Sequence, residues 1–201
     1  MKLIITLIAL AATLTLKAQE CSEQTVKKWQ QEINGEYADA TTSPLIKKDL
    51  KKFQSLDFYP VDMQYCVTAK LVRTPNEKPF DMATTTARTS KHVKYGELHF
   101  TLKGKKCRLD VFRNLELARL DKYKDYLFLP FTDLSSGEES YGGGRYIDLK
   151  MPTKGDTLQV DFNTAYNPYC AYNHEYSCPI PPSQNYLEVD VKAGVKAFKK
   201  K

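Results

Sequence analysis

Several marks of common protein classes are missing from this sequence. Beyond residue 16 it has no apolar run long enough to cross a membrane. It has no internal repeat, and its glycine-rich stretch matches neither a phosphate-binding loop nor a dinucleotide fingerprint. With 42% hydrophobic and 27% charged residues, it also lacks the polar bias of disordered chains and the repeat of collagen. We therefore expect one globular domain with no bound cofactor and with no integral membrane segment once a leader is removed.

Excess charge is also absent from the body of the chain. The sequence has 30 Lys+Arg and 24 Asp+Glu residues, a net charge of +6. Lys2 and Lys17 lie near the N-terminus and four lysines lie in the tail 196–201, so the remaining body has equal numbers of acidic and basic residues. Nucleic-acid binding depends on clustered positive charge. The sequence therefore predicts no nucleic-acid partner and a short basic C-terminal tail.

The N-terminus has the pattern of a secretory signal peptide. Met1-Lys2 is positively charged, Leu3 to Leu16 is apolar but too short for a comfortable membrane span, and Ala18 is a small residue at a plausible cleavage site. We expect residues 1–18 to be a leader and the protein to be periplasmic or secreted. An uncleaved anchor is the alternative. Lipidation of Cys21 is less favoured, because Glu20 rather than a small residue precedes it.

The cysteines are few and odd in number. There are five, so in an oxidising compartment at least one thiol is unpaired. Cys170 and Cys178 close a short loop between two prolines, which predicts a disulfide there. Cys107 shares the apolar face of its strand and is interpreted as a small buried hydrophobe. A metal site using Cys170, His174 and Cys178, or a Cys170/His174 nucleophile, is the less favoured alternative, and we predict no metal.

Helical spacing occurs only near the N-terminus. Ser22 can cap a helix whose apolar residues, Val26 to Tyr37, recur at steps of three and four. Ser43-Pro44 predicts the start of a second helix, with Leu45, Leu50 and Phe53 on its apolar side. We predict that this helical segment, residues 19–55, packs on a sheet.

From residue 56 to residue 195 the apolar period changes to two. Leu98 to Leu102 and Cys107 to Val111 alternate on either side of a turn and predict a hairpin. Tyr126 to Phe131 is apolar on both faces, as in a central strand. Arg145 to Leu149 and Leu158 to Phe162 predict a second hairpin, and a last strand alternates from Leu187 to Val191. The fold class is mainly β (α+β), an antiparallel β-sandwich or barrel preceded by two N-terminal helices.

Unusual polar residues concentrate between residues 133 and 185. Gly142 to Gly144 imply a flexible turn or a close backbone approach. The guanidinium of Arg145 can bind a ligand carboxylate, or it can pair with Asp148 or Asp161. The loop from Asp161 to Cys178 is rich in Tyr, Asn and Pro, a composition that orders a loop and suits recognition of polar molecules. The candidate ligand-binding residues are Tyr141, Arg145, Asp161, Asn163, Tyr166, Asn167 and Asn185. His92 and His99 are interpreted as surface residues.

Several motifs in this region, in order, resemble one family. They are Tyr141-Gly142-Gly143-Gly144-Arg145-Tyr146, Asp161-Phe162-Asn163, Ala165-Tyr166-Asn167-Pro168, Cys170-Ala171-Tyr172, Cys178-Pro179-Ile180-Pro181-Pro182 and Asn185. With upstream matches at 43–45, 56–60 and 95–100, they resemble the bacterial and archaeal family called domain of unknown function 1684 over nearly the whole mature chain. The resemblance implies no activity. It keeps a role other than a disulfide open for Cys170 and Cys178. Val195-Lys196 departs from the acidic residue and lysine expected after Gly194.

These observations favour an exported protein that binds a small polar or anionic ligand, or a glycan. The pocket would lie where the Gly142 to Arg145 turn meets the Asp161 to Cys178 loop, with Arg145 orienting the ligand. One alternative is a structural or interaction module of the cell envelope in which the same residues form a clasp. Another is a hydrolase with Asp161 as base, for which the sequence offers no identifiable nucleophile.

Overall fold

The computed structural model describes residues 21–199. The expected leader at 1–18 and the last two lysines therefore lie outside the described residues. Within residues 21–199 no helix is both long and apolar enough to cross a bilayer. The described elements, in chain order, are α1 (Glu23–Ala38), α2 (Lys47–Leu50), β1 (Cys66–Arg73), β2 (Phe80–Ala83), β3 (Thr89–Leu102), β4 (Lys105–Asn114), β5 (Tyr126–Asp133), β6 (Arg145–Lys150), β7 (Thr157–Asp161) and β8 (Tyr186–Leu187), together with short 3₁₀ turns.

The first predicted helix is confirmed. The Ser22 hydroxyl accepts a hydrogen bond from the Thr25 N–H at 3.1 Å, and the Thr25 hydroxyl oxygen accepts one from the Ser22 N–H at 3.1 Å. This reciprocal cap satisfies amide groups that the first turn leaves free. Ile33 and Tyr37 are buried on the expected stripe, so the periodicity identified both the start and the inner face of α1.

The prediction of a second helix is wrong in extent, because α2 is a single turn of four residues. Ser43 does not act as its N-cap. The Ser43 hydroxyl instead donates to the Tyr37 carbonyl at 2.7 Å and accepts from the Leu45 N–H at 3.2 Å. The serine thus links the end of α1 to a turn, and without a capping side chain the segment after Ile46 stops after one turn.

The strands form an antiparallel sheet that curves into a half-barrel, which refines the expected sandwich or barrel. Its order is β6-β5-β4-β3-β1-β7, with β2 paired to β3 and β8 running parallel to β5. The predicted hairpin is confirmed as β3 and β4, with Phe100 opposite Cys107. The second predicted hairpin is wrong: β6 pairs with β5 and β7 pairs with β1. The chain between β6 and β7 crosses from one end of the sheet to the other instead of turning back beside β6.

The two faces of the sheet have different covers. One face holds the main apolar core, including Leu98, Val111, Leu129 and Ile147, and the C-terminal segment from Leu187 to Ala193 packs on it. The alternate residues of the same strands point to the other face, since side chains alternate along a strand. A smaller aromatic cluster forms on that second face from Met82, Phe112, Phe128 and Tyr146, with Phe80, Tyr126 and Tyr166 at its margin.

Helix α1 lies over the chain segments beside this second face. Ile33 and Tyr37 pack with Leu45, Tyr172 and Val195. The rings of Tyr37 and Tyr172 meet edge to face, with centroids 5.0 Å apart, a favourable geometry for aromatic pairs. The helix therefore rests on aromatic side chains of the loop after β7 and leaves space between itself and the second face of the sheet.

The disulfide in the structure differs from the predicted one. Cys21, just before α1, is bonded to Cys66 at the start of β1, while Cys107, Cys170 and Cys178 are free thiols. Composition cannot show this pairing, because the partners are 45 residues apart in sequence and meet only when α1 docks beside β1. Cys107 is half-buried against the main core, in agreement with its interpretation as a small hydrophobe.

Candidate functional site

A cavity of about 620 Å³ lies between α1, the second face of the sheet and the loop after β7. Aromatic rings form much of its wall. Polar and charged groups from β3, β4 and β6 complete it. Its lining includes Trp29, Tyr37, Tyr126, Phe128, Tyr146, Tyr166 and Tyr169 among the aromatics and Glu32, Glu36, Arg88, His92, Asn114, Glu116 and Asp148 among the polar groups.

Asp148 is a charged group of this cavity that two tyrosine hydroxyls hold in place. The strand alternation places it opposite Ile147 and Leu149, which enter the main core. The hydroxyls of Tyr126 and Tyr166 both donate to its Oδ1, at 2.8 Å and 2.7 Å. Among the described residues, its Oδ2 makes no hydrogen bond and neither oxygen has a cationic partner. The carboxylate is thus held in place while one of its oxygens remains free for a ligand.

The surroundings of Asp148 disfavour an uncompensated charge. Its side chain is exposed to solvent in the cavity, and desolvation by the protein groups packed around it raises the pKa of Asp148 above its usual 3.8. The two tyrosine hydroxyls act in the opposite direction, and the negative charge of Glu36 adds to the increase. A cation placed beside Asp148 would relieve the burial cost.

Tyr166 is positioned by the backbone as well as by Asp148. Its N–H donates to the Tyr146 carbonyl at 3.0 Å, and its carbonyl accepts from the Tyr146 N–H at 2.9 Å. This short antiparallel bridge fixes the loop after β7 to the outer edge of β6. Tyr166 is the predicted site residue that the structure places in the cavity.

The wall opposite α1 is formed by a second pairing of distant segments. The Thr85 N–H donates to the Cys178 carbonyl at 2.9 Å, and the Cys178 N–H donates to the Thr85 hydroxyl at 3.1 Å. Ser177 is hydrogen-bonded to the hydroxyls of Thr84 and Thr86 at 2.8 Å and 2.7 Å. The threonine-rich segment after β2 thus holds the end of the Tyr/Asn/Pro-rich loop in place.

His92 is a cavity residue that sequence reasoning missed. It was expected at the surface, but its side chain is buried. Its Nδ1 lies 3.0 Å from the Ser90 carbonyl oxygen, so Nδ1 carries the proton, and its Nε2 lies 3.5 Å from the Asn114 amide nitrogen. Burial lowers the pKa of His92 below 6.5, and the ring is neutral near pH 7. His99, in contrast, is exposed as expected.

Arg145 is not available to a ligand. Its side chain is fully buried, and it donates to Asp133 Oδ2 and to the Val191 carbonyl, each at 2.8 Å, and to the Ala193 carbonyl. The predicted partners, Asp148 and Asp161, are not its partners. The guanidinium ties the ends of β5 and β6 to the C-terminal segment, so the ligand-orienting role predicted for Arg145 is wrong and it acts as a clasp.

Three predicted asparagines also bond to the backbone rather than facing the cavity. Asn163 bonds to the Asp62 N–H and carbonyl, both at 3.0 Å. Asn167 donates to the Lys196 carbonyl at 2.8 Å. Asn185 accepts from the Asp110 N–H at 2.8 Å and donates to the Asp110 and Pro130 carbonyls. All three are buried, and each bonds to backbone groups of a distant part of the chain.

The remaining predicted residues lie apart from one another. Asp161 accepts from the Asn163 amide at 2.7 Å, and burial raises its pKa above 3.8, but it lies near Cys21 and Cys66 rather than in the cavity. Tyr141 lies 3.8 Å from the Cys170 sulfur. The predicted pocket between the glycine turn and the Asp161 to Cys178 loop is therefore not formed as one site.

The sequence carried a usable signal for part of the actual cavity. Asp148 stands between Ile147 and Leu149 in a strand whose apolar side chains face the core, which marks it as a charge on the opposite face. Trp29 lies on the apolar stripe of α1, where packing was the expected role. Trp29 and Asp148 meet across one cavity only because α1 docks there, and no local sequence pattern indicates this contact.

A family model described as "Protein of unknown function (DUF1684)" matches residues 51–196. The chain belongs to this family. Among curated proteins, none matches this DUF1684 member significantly. The solution NMR structure of an uncharacterized protein from gene locus rrnAC0354 of Haloarcula marismortui is similar over 87% of this chain and 93% of that chain, with 32% identity and a TM-score of 0.68. The predicted family resemblance is thus confirmed, and the fold is shared with that uncharacterized protein.

Proposed function

We propose that this protein binds a small cationic molecule with an apolar or aromatic body in the cavity between α1 and the sheet. The position of Asp148 is the observation that carries the proposal. Its carboxylate lies in an aromatic cavity, two tyrosines hold one oxygen, and the other is free of protein partners within residues 21–199.

The charge of the lining supports a cationic ligand. Four carboxylates, those of Glu32, Glu36, Glu116 and Asp148, line the cavity with one guanidinium, that of Arg88. Aromatic faces attract ammonium groups through their quadrupoles, and the carboxylate of Asp148 stands among such faces without a cationic partner in residues 21–199. The anionic ligand expected from the sequence loses its support, because Arg145 is buried against Asp133. The proposed ligand is still a small polar molecule, but it is a cation and not an anion.

The size of the cavity also suits a small molecule. Ligand sites for small molecules occupy roughly 300–1,000 Å³ and combine aromatic walls with a few placed polar groups. The cavity of about 620 Å³ falls in that range. Trp29 is the single tryptophan of the chain and lies in its lining, so tryptophan fluorescence, excited selectively over that of the 13 tyrosines, reports on this site.

We predict that benzylamine quenches or shifts the fluorescence of Trp29, whereas benzoate, its anionic counterpart, does not. In the Asp148→Asn variant the affinity for benzylamine should fall about tenfold or more, which corresponds to about 1.4 kcal/mol. Because burial raises the pKa of Asp148, amine binding should weaken as the pH falls through that pKa and the carboxylate is neutralised. Fluorescence titration over a pH series measures both effects.

The matched control is Asp156→Asn, which removes an exposed carboxylate paired with Lys70 on the far end of the sheet. It should leave the affinity for benzylamine unchanged. Equal binding of benzoate and benzylamine, or an unchanged affinity in Asp148→Asn with its fold intact, would show that the proposed cationic site is wrong. An unresponsive Trp29 with every amine tested would favour the alternative of a structural or interaction module.

Export to the periplasm or the medium remains part of the proposal. The leader-like residues 1–18 support it, as does the Cys21–Cys66 disulfide, a bond that an oxidising compartment preserves. When the full-length chain is expressed with a secretion system, we predict that its mature N-terminus lies just after Ala18. Peptide mapping without reduction should show Cys21 joined to Cys66. A cytoplasmic product that still begins at Met1 would contradict export.

A further inference from the structure

Two free thiols lie together behind the cavity wall, and the proposed ligand contacts do not use them. Cys170 and Cys178 are both buried, and Cys178 belongs to the cavity lining. The Cys170 N–H donates to the Cys178 sulfur at 3.2 Å. The Cys178 sulfur therefore lies against the backbone of Cys170, which makes the two cysteines neighbours in space.

Both ends of this pair are held by neighbouring segments. Cys170 lies in a 3₁₀ turn, Tyr169–Ala171. Cys178 is fixed by its two backbone hydrogen bonds to Thr85. Disulfide geometry limits how far apart two cysteines can be, and a Cys178 sulfur within 3.2 Å of the Cys170 backbone nitrogen suits closure of the pair to a disulfide.

Hydrogen bonds around the pair stabilise one negative charge. Donation from Cys178, and then from Tyr141, lowers the pKa of Cys170 to about 6, while the shared proton raises the pKa of Cys178. The two sulfurs thus titrate as a unit that holds one proton and one charge near neutral pH. Tyr141 and Tyr146 are the other titratable groups that act on it among the described residues. Burial raises the pKa of both, to about 12 for Tyr141, so they stay neutral.

We propose that Cys170 and Cys178 form a thiol–disulfide exchange site that small disulfide molecules reach through the cavity. The approach is from the cavity side, where Cys178 forms part of the wall. This site is separate from the binding of amines at Asp148, although both use the same opening.

The reaction follows ordinary disulfide exchange. The pair holds its proton mainly on Cys178; in the minor state in which this proton has moved to Cys170, the Cys178 thiolate, which lines the cavity, attacks one sulfur of the small disulfide. A bond forms between Cys178 and that sulfur, the disulfide bond of the substrate breaks, and the released thiolate takes a proton from water. Cys170 then loses its proton and attacks the Cys178 sulfur, which expels the second thiolate. The second thiolate takes the proton that Cys170 has lost. The protein thus loses two electrons and its one shared proton, water supplies the other proton, and the substrate disulfide becomes two thiols.

The test uses reduced Cys170 and Cys178 in the mature protein with the Cys21–Cys66 bond intact, and oxidised glutathione as the probe. All variants carry Cys107→Ser, so that the third free thiol does not contribute. Without a further substitution, mass spectrometry should show a Cys170–Cys178 disulfide. With Cys170→Ser the reaction should stop at a glutathione adduct on Cys178. With Cys178→Ser the rate of glutathione adduct formation should fall roughly tenfold or more, because Cys170 lies behind the wall of the cavity.

Alkylation by iodoacetamide gives a second measurement that does not depend on a cysteine variant folding. In the Cys107→Ser protein the rate should rise with a midpoint near pH 6, and Tyr141→Phe should move this midpoint upward by removing one donor to the thiolate. Asp156→Asn, which lies outside the cavity lining, should leave the exchange rate unchanged. Failure of oxidised glutathione to join Cys170 to Cys178, or an alkylation midpoint near pH 8.5 as for an ordinary thiol, would overturn the proposal.

Discussion

Replacing Arg145 with methionine is expected to lower the free energy of unfolding by about 3–5 kcal/mol, because the substitution leaves Asp133 buried without its cation. Both side chains are fully inaccessible and their charged atoms lie 2.8 Å apart. The carbonyls of Val191 and Ala193 would also lose their donors. Urea denaturation followed by circular dichroism, with the disulfide intact, measures the change. The effect should exceed that of any substitution at an exposed ion pair.

The matched control is Lys70→Met, which removes the cation of the exposed pair with Asp156. It should change the free energy of unfolding by no more than about 1 kcal/mol, since such pairs contribute little. Adding Asp133→Asn to Arg145→Met should recover part of the loss, because the uncompensated charge is then removed. An Arg145→Met protein as stable as the wild type would show that the guanidinium does not clasp the C-terminal segment.

Replacing Gly144 with alanine is expected to cost about 3 kcal/mol of folding free energy. Gly144 has a φ of +87°, a conformation that strains any residue with a side chain. An added Cβ would also lie 2.6 Å from the Phe131 carbonyl oxygen and 2.7 Å from Pro181, so β5 or the proline turn would have to shift. The strain caused by the added Cβ falls at the start of β6, the strand that carries Tyr146 and Asp148. Thermal and urea unfolding both report it.

The neighbouring Gly142 provides the control for this experiment. An alanine there would meet Gly137 at 3.4 Å, an ordinary contact, in a backbone conformation open to other residues. Gly142→Ala should therefore change stability by roughly 0.5 kcal/mol or less. If both variants lost stability equally, the close backbone approach at Gly144 would not be the cause.

The three glycines show how far sequence reasoning reached. The stretch implied that the backbone approaches something closely, and Gly144 meets that description against Phe131. What it approaches is a strand of the protein and not a ligand. A short sequence motif reports the need for a small residue, but it carries no information on which distant segment fills the space.

Several predicted site residues likewise make their close contacts within the protein and not with a ligand. Arg145, Asn163, Asn167 and Asn185 were correctly singled out as unusual polar groups. They are unusual because each is buried and satisfies backbone groups of distant segments, as buried polar groups must. The sequence could not separate such bonding from ligand contact, since both require the same donors and acceptors at buried positions.

The sequence alone determined the capped first helix, the period-two strands, the β3–β4 hairpin and the family, because these depend on local spacing and on motifs in order. Tertiary structure decided the rest. It joined Cys21 to Cys66 and left Cys170 and Cys178 as neighbouring thiols. It also placed Trp29 of α1 and Asp148 of β6 around one cavity. Residues more than a hundred positions apart meet there only because the half-barrel closes against α1, and no local pattern encodes that contact.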